Sequence, residues 1–289
     1  MSPTLRGILL MTLSMAAFAV EDALIKLASA ALPVGQILLM LGIGGTPIFA
    51  LLARAGGHRM LTRAAFAPAL VARNAAEMLG TMGFVTALSL IPLSTASAIL
   101  QAAPLLVTAG AAAILGESVG WRRWLAVAVG FSGVVIILRP GAEGFDANAL
   151  WAVIGVTGLA ARDLITRRMP PTIPTHVVAA WAFAGVGVVG GLMLVVDGGA
   201  VVPPAAALAQ LAGALAIGIA AYWAIVEATR TGDASAVAPF RYTRMVFALI
   251  VAWALFAEVP DLPMLAGAAL IIGSGLYTLY RERRRTRPA

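Results

Sequence analysis

Apolar positions in this chain fall in long unbroken stretches, with no sustained two-residue alternation. Val34–Ala53 and Val177–Val196 contain no charged residue, and each matches the roughly 20 residues of one bilayer crossing. Met78–Gly116 is also free of charge but too long for a single span. Ser89, Pro92 and Ser94 interrupt it midway and predict a tight hairpin between two helices. The same reading along the whole chain predicts ten helices, at 7–28, 34–53, 67–88, 94–115, 121–138, 148–166, 175–196, 206–229, 235–257 and 263–280. A membrane barrel would instead show short alternating segments, so the expected class is an all-α integral membrane protein with short loops. Arg6, the apolar run after it and Ala17-Phe18-Ala19 have the outline of a secretory leader. That segment has a counterpart in the second half of the chain, so it is read as a span.

The counterpart belongs to a repeat. Shifted by 141 positions, Asp22 meets Asp163, Lys26 meets Arg167 and Pro33 meets Pro174. Ala87 meets Ala228, Ser94 meets Ser235 and Glu117 meets Glu258 without a gap. The expected organisation is a short cytoplasmic segment (1–6), a first five-helix repeat (7–141), a second (148–281) and a basic tail (282–289). An odd number of crossings per copy inserts the second copy upside down. The result is ten helices in two inverted-topology repeats around a central cavity, a plan common among secondary transporters.

Composition removes the remaining classes. Of 289 residues, 61% are hydrophobic and 11% charged, with a mean hydropathy of +0.95; soluble domains carry about 25% charge. With no cysteine, thiolate metal sites and cysteine nucleophiles are excluded, and two histidines leave little for metal or acid–base chemistry. The net charge of +7 is concentrated by position. With the N-terminus cytoplasmic, fourteen of the twenty basic residues fall on cytoplasmic segments and Arg139 alone on an outer loop. This is the positive-inside pattern, with both termini cytoplasmic, and it explains the charge without a nucleic-acid partner. The expected location is the inner membrane of a bacterium.

Ionisable residues inside spans are costly and therefore mark function. Asp22 and Lys26 form an i, i+4 pair, repeated by Asp163 and Arg167 in the inverted copy; two such pairs at opposite faces suit an outer and an inner gate. Helix-anchoring pairs would have the same spacing. On the third span Arg73, Glu77 and Thr81 form a polar patch with Glu77 near mid-depth, and its repeat mate is Gly218. A bound solute breaks symmetry in the same way, so the patch is a substrate or proton site, against the alternative of a self-neutralised brace. On the ninth span lie Arg241, Tyr242 and Arg244, with Tyr242 the repeat mate of Gln101, so that the two are expected face to face across the pseudo-axis. A guanidinium there, Arg241 or Arg244, would hold a substrate carboxylate; alternatively Arg241 neutralises Glu227. Phe18, Tyr222 and Trp223 are candidate apolar walls. Five basic and five acidic residues lie within the spans, a neutral interior that suits a zwitterion better than a polyanion.

Gly130-Phe131-Ser132-Gly133 has the form of an intramembrane serine-protease motif. His58 falls in a cytoplasmic loop and His176 at a cytoplasmic helix end, both far from the depth of Ser132, so the general base is missing. No phosphate-binding glycine loop is present, which leaves ATP without a site. No cofactor is called for, and a non-transporting scaffold is the other class considered.

The stretch Thr86–Gly141, TALSLIPLSTASAILQAAPLLVTAGAAAILGESVGWRRWLAVAVGFSGVVIILRPG, resembles the drug/metabolite transporter superfamily in its EamA-type branch. A proline one span before a Gly-Glu pair, then a glycine-punctuated helix, is carried by Pro104, Gly116, Glu117, Gly130 and Gly133. The second copy, from Glu227 to Leu276, departs from it: Met245 stands for Pro104, Ala257 for Gly116, and Pro239 lies earlier. The resemblance implies a basket of two inverted bundles whose first four helices form the cavity while the fifth buttresses it. It also implies transport of small metabolites, with amino-acid export as the expectation and S-adenosylmethionine uptake or drug efflux as alternatives. Glu77 and Asp22 are candidate proton carriers; a uniporter would read the same.

Overall fold

A computed structural model describes residues 2–117, 120–141, 145–169, 173–196, 198–231 and 234–286. The last three residues of the expected basic tail lie outside them. Twelve α-helices follow in order: α1 (Pro3–Ser29), α2 (Val34–Ala55), α3 (Pro68–Leu90), α4 (Leu93–Leu100), α5 (Ala103–Leu115) and α6 (Trp121–Leu138), then α7 (Ala149–Arg167), α8 (Thr175–Val196), α9 (Ala205–Thr231), α10 (Ala234–Val237), α11 (Thr243–Phe256) and α12 (Leu262–Thr286). No strand occurs among the described residues. The expected hairpin turns at Ile91 and Pro92.

Nine stretches among the described residues are long and apolar enough to cross a membrane. The third expected span is present as α3, 23 residues long, but Arg73, Asn74 and Glu77 in its first half reduce its hydropathy. Two further departures come from proline. The fourth span is divided at Gln101 and Ala102, because Pro104 has no N–H to continue the helix. The ninth is divided by a 3₁₀ segment, Ala238–Tyr242, that contains Pro239. The two breaks therefore fall at positions related by the repeat.

The chain forms two compact units, and each draws on both repeats. One comprises residues 25–89 and 151–215; the other comprises 1–24, 90–150 and 216–289. In the first, α2 and α8 lie against each other with backbone nearly touching backbone: a Cβ built on Gly42 would stand 2.3 Å from the Gly187 Cα. α3 and α7 meet in the same way, since a Cβ on Gly83 would stand 2.7 Å from the Gly155 nitrogen. In the second unit α6 and α12 approach at Gly133 and Gly267. Between helices in lipid the hydrophobic effect supplies no drive, so close packing through small residues must supply it.

Gly42→Val should therefore lower the melting temperature in detergent, consistent with overpacking costs of about 1–3 kcal/mol, with Gly42→Ala intermediate. An unchanged melting temperature for the valine variant would show that α2 and α8 separate easily.

The Gly-Glu pair has a structural meaning. Gly116 caps α5 in the left-handed region (φ 69°), and Ala257 caps α11 in the same region (φ 52°). The alanine adopts a conformation that glycine takes without steric cost. It is followed by Glu258, whose carboxylate accepts from the Leu93 N–H (2.8 Å), the Ser94 N–H (2.9 Å) and the Ser94 hydroxyl (2.7 Å). An acceptor with negative charge at the start of α4 satisfies amides that have no helical partner.

Candidate functional site

Each unit contains one cluster of intramembrane charge. In the unit built from α3 and α7, Glu77 lies between two guanidinium groups, Arg73 at 2.8 Å and Arg162 at 3.0 Å. Thr81 donates to the same carboxylate at 3.4 Å. Arg162 also reaches Asp163 at 2.8 Å, and Arg73 donates to the Asn74 side-chain oxygen at 3.1 Å. The expected Arg73–Glu77 pair is thus present, as part of a four-member network. Arg162 is the member that sequence spacing did not single out.

In the other unit Arg244 of α11 donates to Asp22 of α1 at 2.7 Å, and its guanidinium lies 5.1 Å from the centre of the Phe18 ring. Asp22 is only 4% exposed. Beside it, the half-buried Glu21 carboxylate lies over the Gly218 Cα: a Cβ there would stand 2.4 Å from a Glu21 oxygen. Among the described residues Glu21 makes no hydrogen bond or ion pair.

The clusters are repeat mates. The 141-residue shift carries Glu21 onto Arg162, Asp22 onto Asp163, and Glu77 onto Gly218. One helix juncture is therefore built twice, α1 on α9 and α7 on α3. In one copy an arginine meets a glutamate; in the other a glutamate meets a glycine. The first is closed by its own ion pair, while in the second the Glu21 carboxylate occupies the space over Gly218 that the repeat mate, Glu77, fills with a side chain.

The other expected residues are distributed as follows. Lys26 donates to the Leu88 carbonyl at 3.0 Å while Asp22 has Arg244, so the members of the first expected gate pair have separate partners; in the second, Asp163 has Arg162. Arg167 is exposed at the end of α7. Gln101 donates to the Tyr242 carbonyl at 3.2 Å, bringing the two repeat mates together where both spans break. The buried Tyr242 hydroxyl fits against Gly275. Arg241 is exposed, and Glu227 pairs with Arg6 at 3.3 Å. Tyr222 is half-buried. Trp223 is 61% exposed, which does not fit a wall of a binding site: the side chain following a half-buried one on a helix points about 100° away.

Comparison with known proteins follows the same architecture. The profile of the EamA-like transporter family matches twice, at residues 5–139 and 147–280. A riboflavin transporter of Rhizobium johnstonii is 31% identical over 210 residues, 72% of this chain and 69% of that one. An S-adenosylmethionine uptake transporter of Rickettsia felis is 28% identical over 71% of this chain and 69% of its own length. A pseudopaline exporter of Pseudomonas aeruginosa is 29% identical over 272 residues, covering 92% of this chain and 93% of its own. A solved crystal structure shares the fold, with a TM-score of 0.64 at 19% identity, covering 98% of this chain and all of that one.

Proposed function

Because the chain belongs to the EamA-like transporter family, we propose that it moves a small zwitterionic metabolite of amino-acid type outward across a bacterial inner membrane by alternating access. The observation that carries the reading is Glu21. A half-buried carboxylate that makes no hydrogen bond or ion pair among the described residues of a spanning helix costs about 2.5–3.5 kcal/mol on insertion scales, and a ligand ammonium or a proton would offset that cost. The neighbouring Asp22 is neutralised by Arg244, whose guanidinium lies over the Phe18 ring, so Glu21 is the carboxylate of this cluster left without an ion pair among the described residues. The Arg73–Glu77–Arg162–Asp163 network is the matching element of the inverted copy. Its internal neutrality suits a switch that opens and re-forms more than a fixed binding charge. In this reading the first and second repeats insert in opposite senses, both termini are cytoplasmic, and Glu21 rather than Glu77 carries any coupled proton.

A second reading, uptake of S-adenosylmethionine, is favoured by the relatives so named.

The test is counterflow in proteoliposomes loaded in turn with neutral amino acids, S-adenosylmethionine and riboflavin, with and without a pH gradient. Saturable exchange of a neutral amino acid, reduced about tenfold or more by Glu21→Gln in a protein of unchanged melting temperature, is expected. Exchange of S-adenosylmethionine or riboflavin alone would replace the proposed substrate, and full-rate exchange by the variant would remove Glu21 from the site.

A further inference from the structure

The Tyr242 side chain is 6% exposed, and its hydroxyl makes no hydrogen bond among the described residues. It is stored against α12 at Gly275, where a Cβ would overlap it. The position related to Gly275 by the repeat is Val134, which carries a side chain where α12 carries none. A phenol taken out of water without a partner bears its desolvation cost uncompensated.

An open acceptor lies on the repeat mate of that residue. Helical donors to the Gln101 carbonyl would come from residues 104 and 105. Pro104 has no N–H, and the Leu105 N–H donates to the Ala102 carbonyl at 3.0 Å. Gln101 and Tyr242 are already joined in one sense, since the Gln101 side-chain amide donates to the Tyr242 carbonyl at 3.2 Å. One bond of a reciprocal pair is therefore made. For the other, the donor is idle and the acceptor stands outside the helical ladder. The tyrosine side chain is longer than the glutamine side chain that already bridges the two backbones.

Inverted repeats give this asymmetry a direction. When two copies of one bundle exchange conformations, the face that is open exchanges with them. The contact made by Gln101 in one state then falls to Tyr242 in the other. We propose that Gln101 and Tyr242 form a reciprocal hydrogen-bond switch between the two access states. In the present conformation the Gln101 amide holds the Tyr242 carbonyl; in the opposite one the Tyr242 hydroxyl leaves Gly275 and holds the Gln101 carbonyl. The switch rests on the alternating-access reading above and adds the contact that changes hands. Gln101 and Tyr242 are positioning residues, fixing the two helix breaks without touching the solute. Arg244 follows Tyr242 by two residues, so the break that turns with Tyr242 also carries the guanidinium that holds Asp22.

The chain contains no cysteine, so the full-length protein can carry two spin labels, at Ala31→Cys and Val259→Cys. Both positions are exposed, one in each compact unit. Distance distributions in phospholipid nanodiscs then report the populations of the two states. Removing the Tyr242 hydroxyl costs the present conformation nothing, so Tyr242→Phe should shift the population ratio about fivefold toward it, the worth of one net hydrogen bond. Gln101→Leu removes the bond of the present conformation and should shift the ratio about fivefold the other way. Gly275→Ala fills the slot that stores the phenol and should shift the ratio in the same direction as Gln101→Leu, which keeps the test open if that variant folds poorly. A fixed brace would respond differently, with lower melting temperatures and an unchanged ratio. Shifts of the same sign for Tyr242→Phe and Gln101→Leu, or none beyond about twofold for either, would overturn the switch. Counterflow of labelled amino acids by the parent is followed in parallel. Opposite population shifts in a protein that exchanges no solute would remove the transport reading and leave the switch standing.

Discussion

Arg244→Met should destabilise the protein by about 3–5 kcal/mol, the usual cost of removing one partner from a buried ion pair, and abolish counterflow. The reason lies in Asp22, 4% exposed and bonded to Arg244 at 2.7 Å. Without the guanidinium its carboxylate is stranded in a spanning helix, beside a second carboxylate, Glu21, that has no partner of its own. The loss should appear as a lower melting temperature and a smaller monodisperse peak in size-exclusion chromatography. The double variant Asp22→Asn, Arg244→Met separates stability from transport. With both charges removed, folding should recover to within about 1 kcal/mol of the parent, because a buried pair exchanged for neutral residues costs little or nothing. Counterflow should not recover. A double variant that transports at the parent rate would make the pair a structural brace and place the site elsewhere.

The sequence defined spans and repeat well and partners poorly, for a single physical reason. Spans and repeat depend on local composition and on a fixed offset, both carried by the chain itself. The offset even paired Gln101 with Tyr242, and the structure joins them by a hydrogen bond. Ion pairing in a bundle is decided between helices far apart in sequence, where i, i+4 spacing has no authority. Asp22 illustrates this: four residues from Lys26, it is claimed by Arg244, 222 positions away. Arg162 illustrates the complement. Its repeat mate is Glu21, of opposite charge, so a search for matching residue types passed over both. Compared instead for complementary charge, the same offset would have flagged Glu21 with Arg162; the residues they meet, Gly218 and Glu77, are themselves repeat mates. The breaks in the fourth and ninth spans were also written in the chain, as Pro104 and Pro239. Pro104 could be weighed only as a motif position, since its effect on span continuity depends on the backbone around it.

Glu77→Gln should leave a folded protein that exchanges substrate about tenfold more slowly or worse. The amide keeps the shape of the carboxylate and can still accept from Arg73 or Arg162, so the structural loss is that of weakened charge-assisted hydrogen bonds in a half-buried site, about 1–3 kcal/mol. The transport loss has a different origin. If the network opens and re-forms as access alternates, the carboxylate must hold two guanidinium groups in one state and release at least one in the other, and an amide holds neither firmly. A charge exchange between positions 77 and 162 cannot test this, since an arginine at 77 would face Arg73 and a glutamate at 162 would face Asp163. Glu77→Gln with Arg162→Gln is the informative partner. It removes one charge of each sign and leaves Arg73 and Asp163, so the melting temperature should return toward the parent while exchange stays slow. Exchange at the parent rate in either variant, with only the melting temperature lowered, would show that the network braces α3 against α7 and that transport proceeds without it.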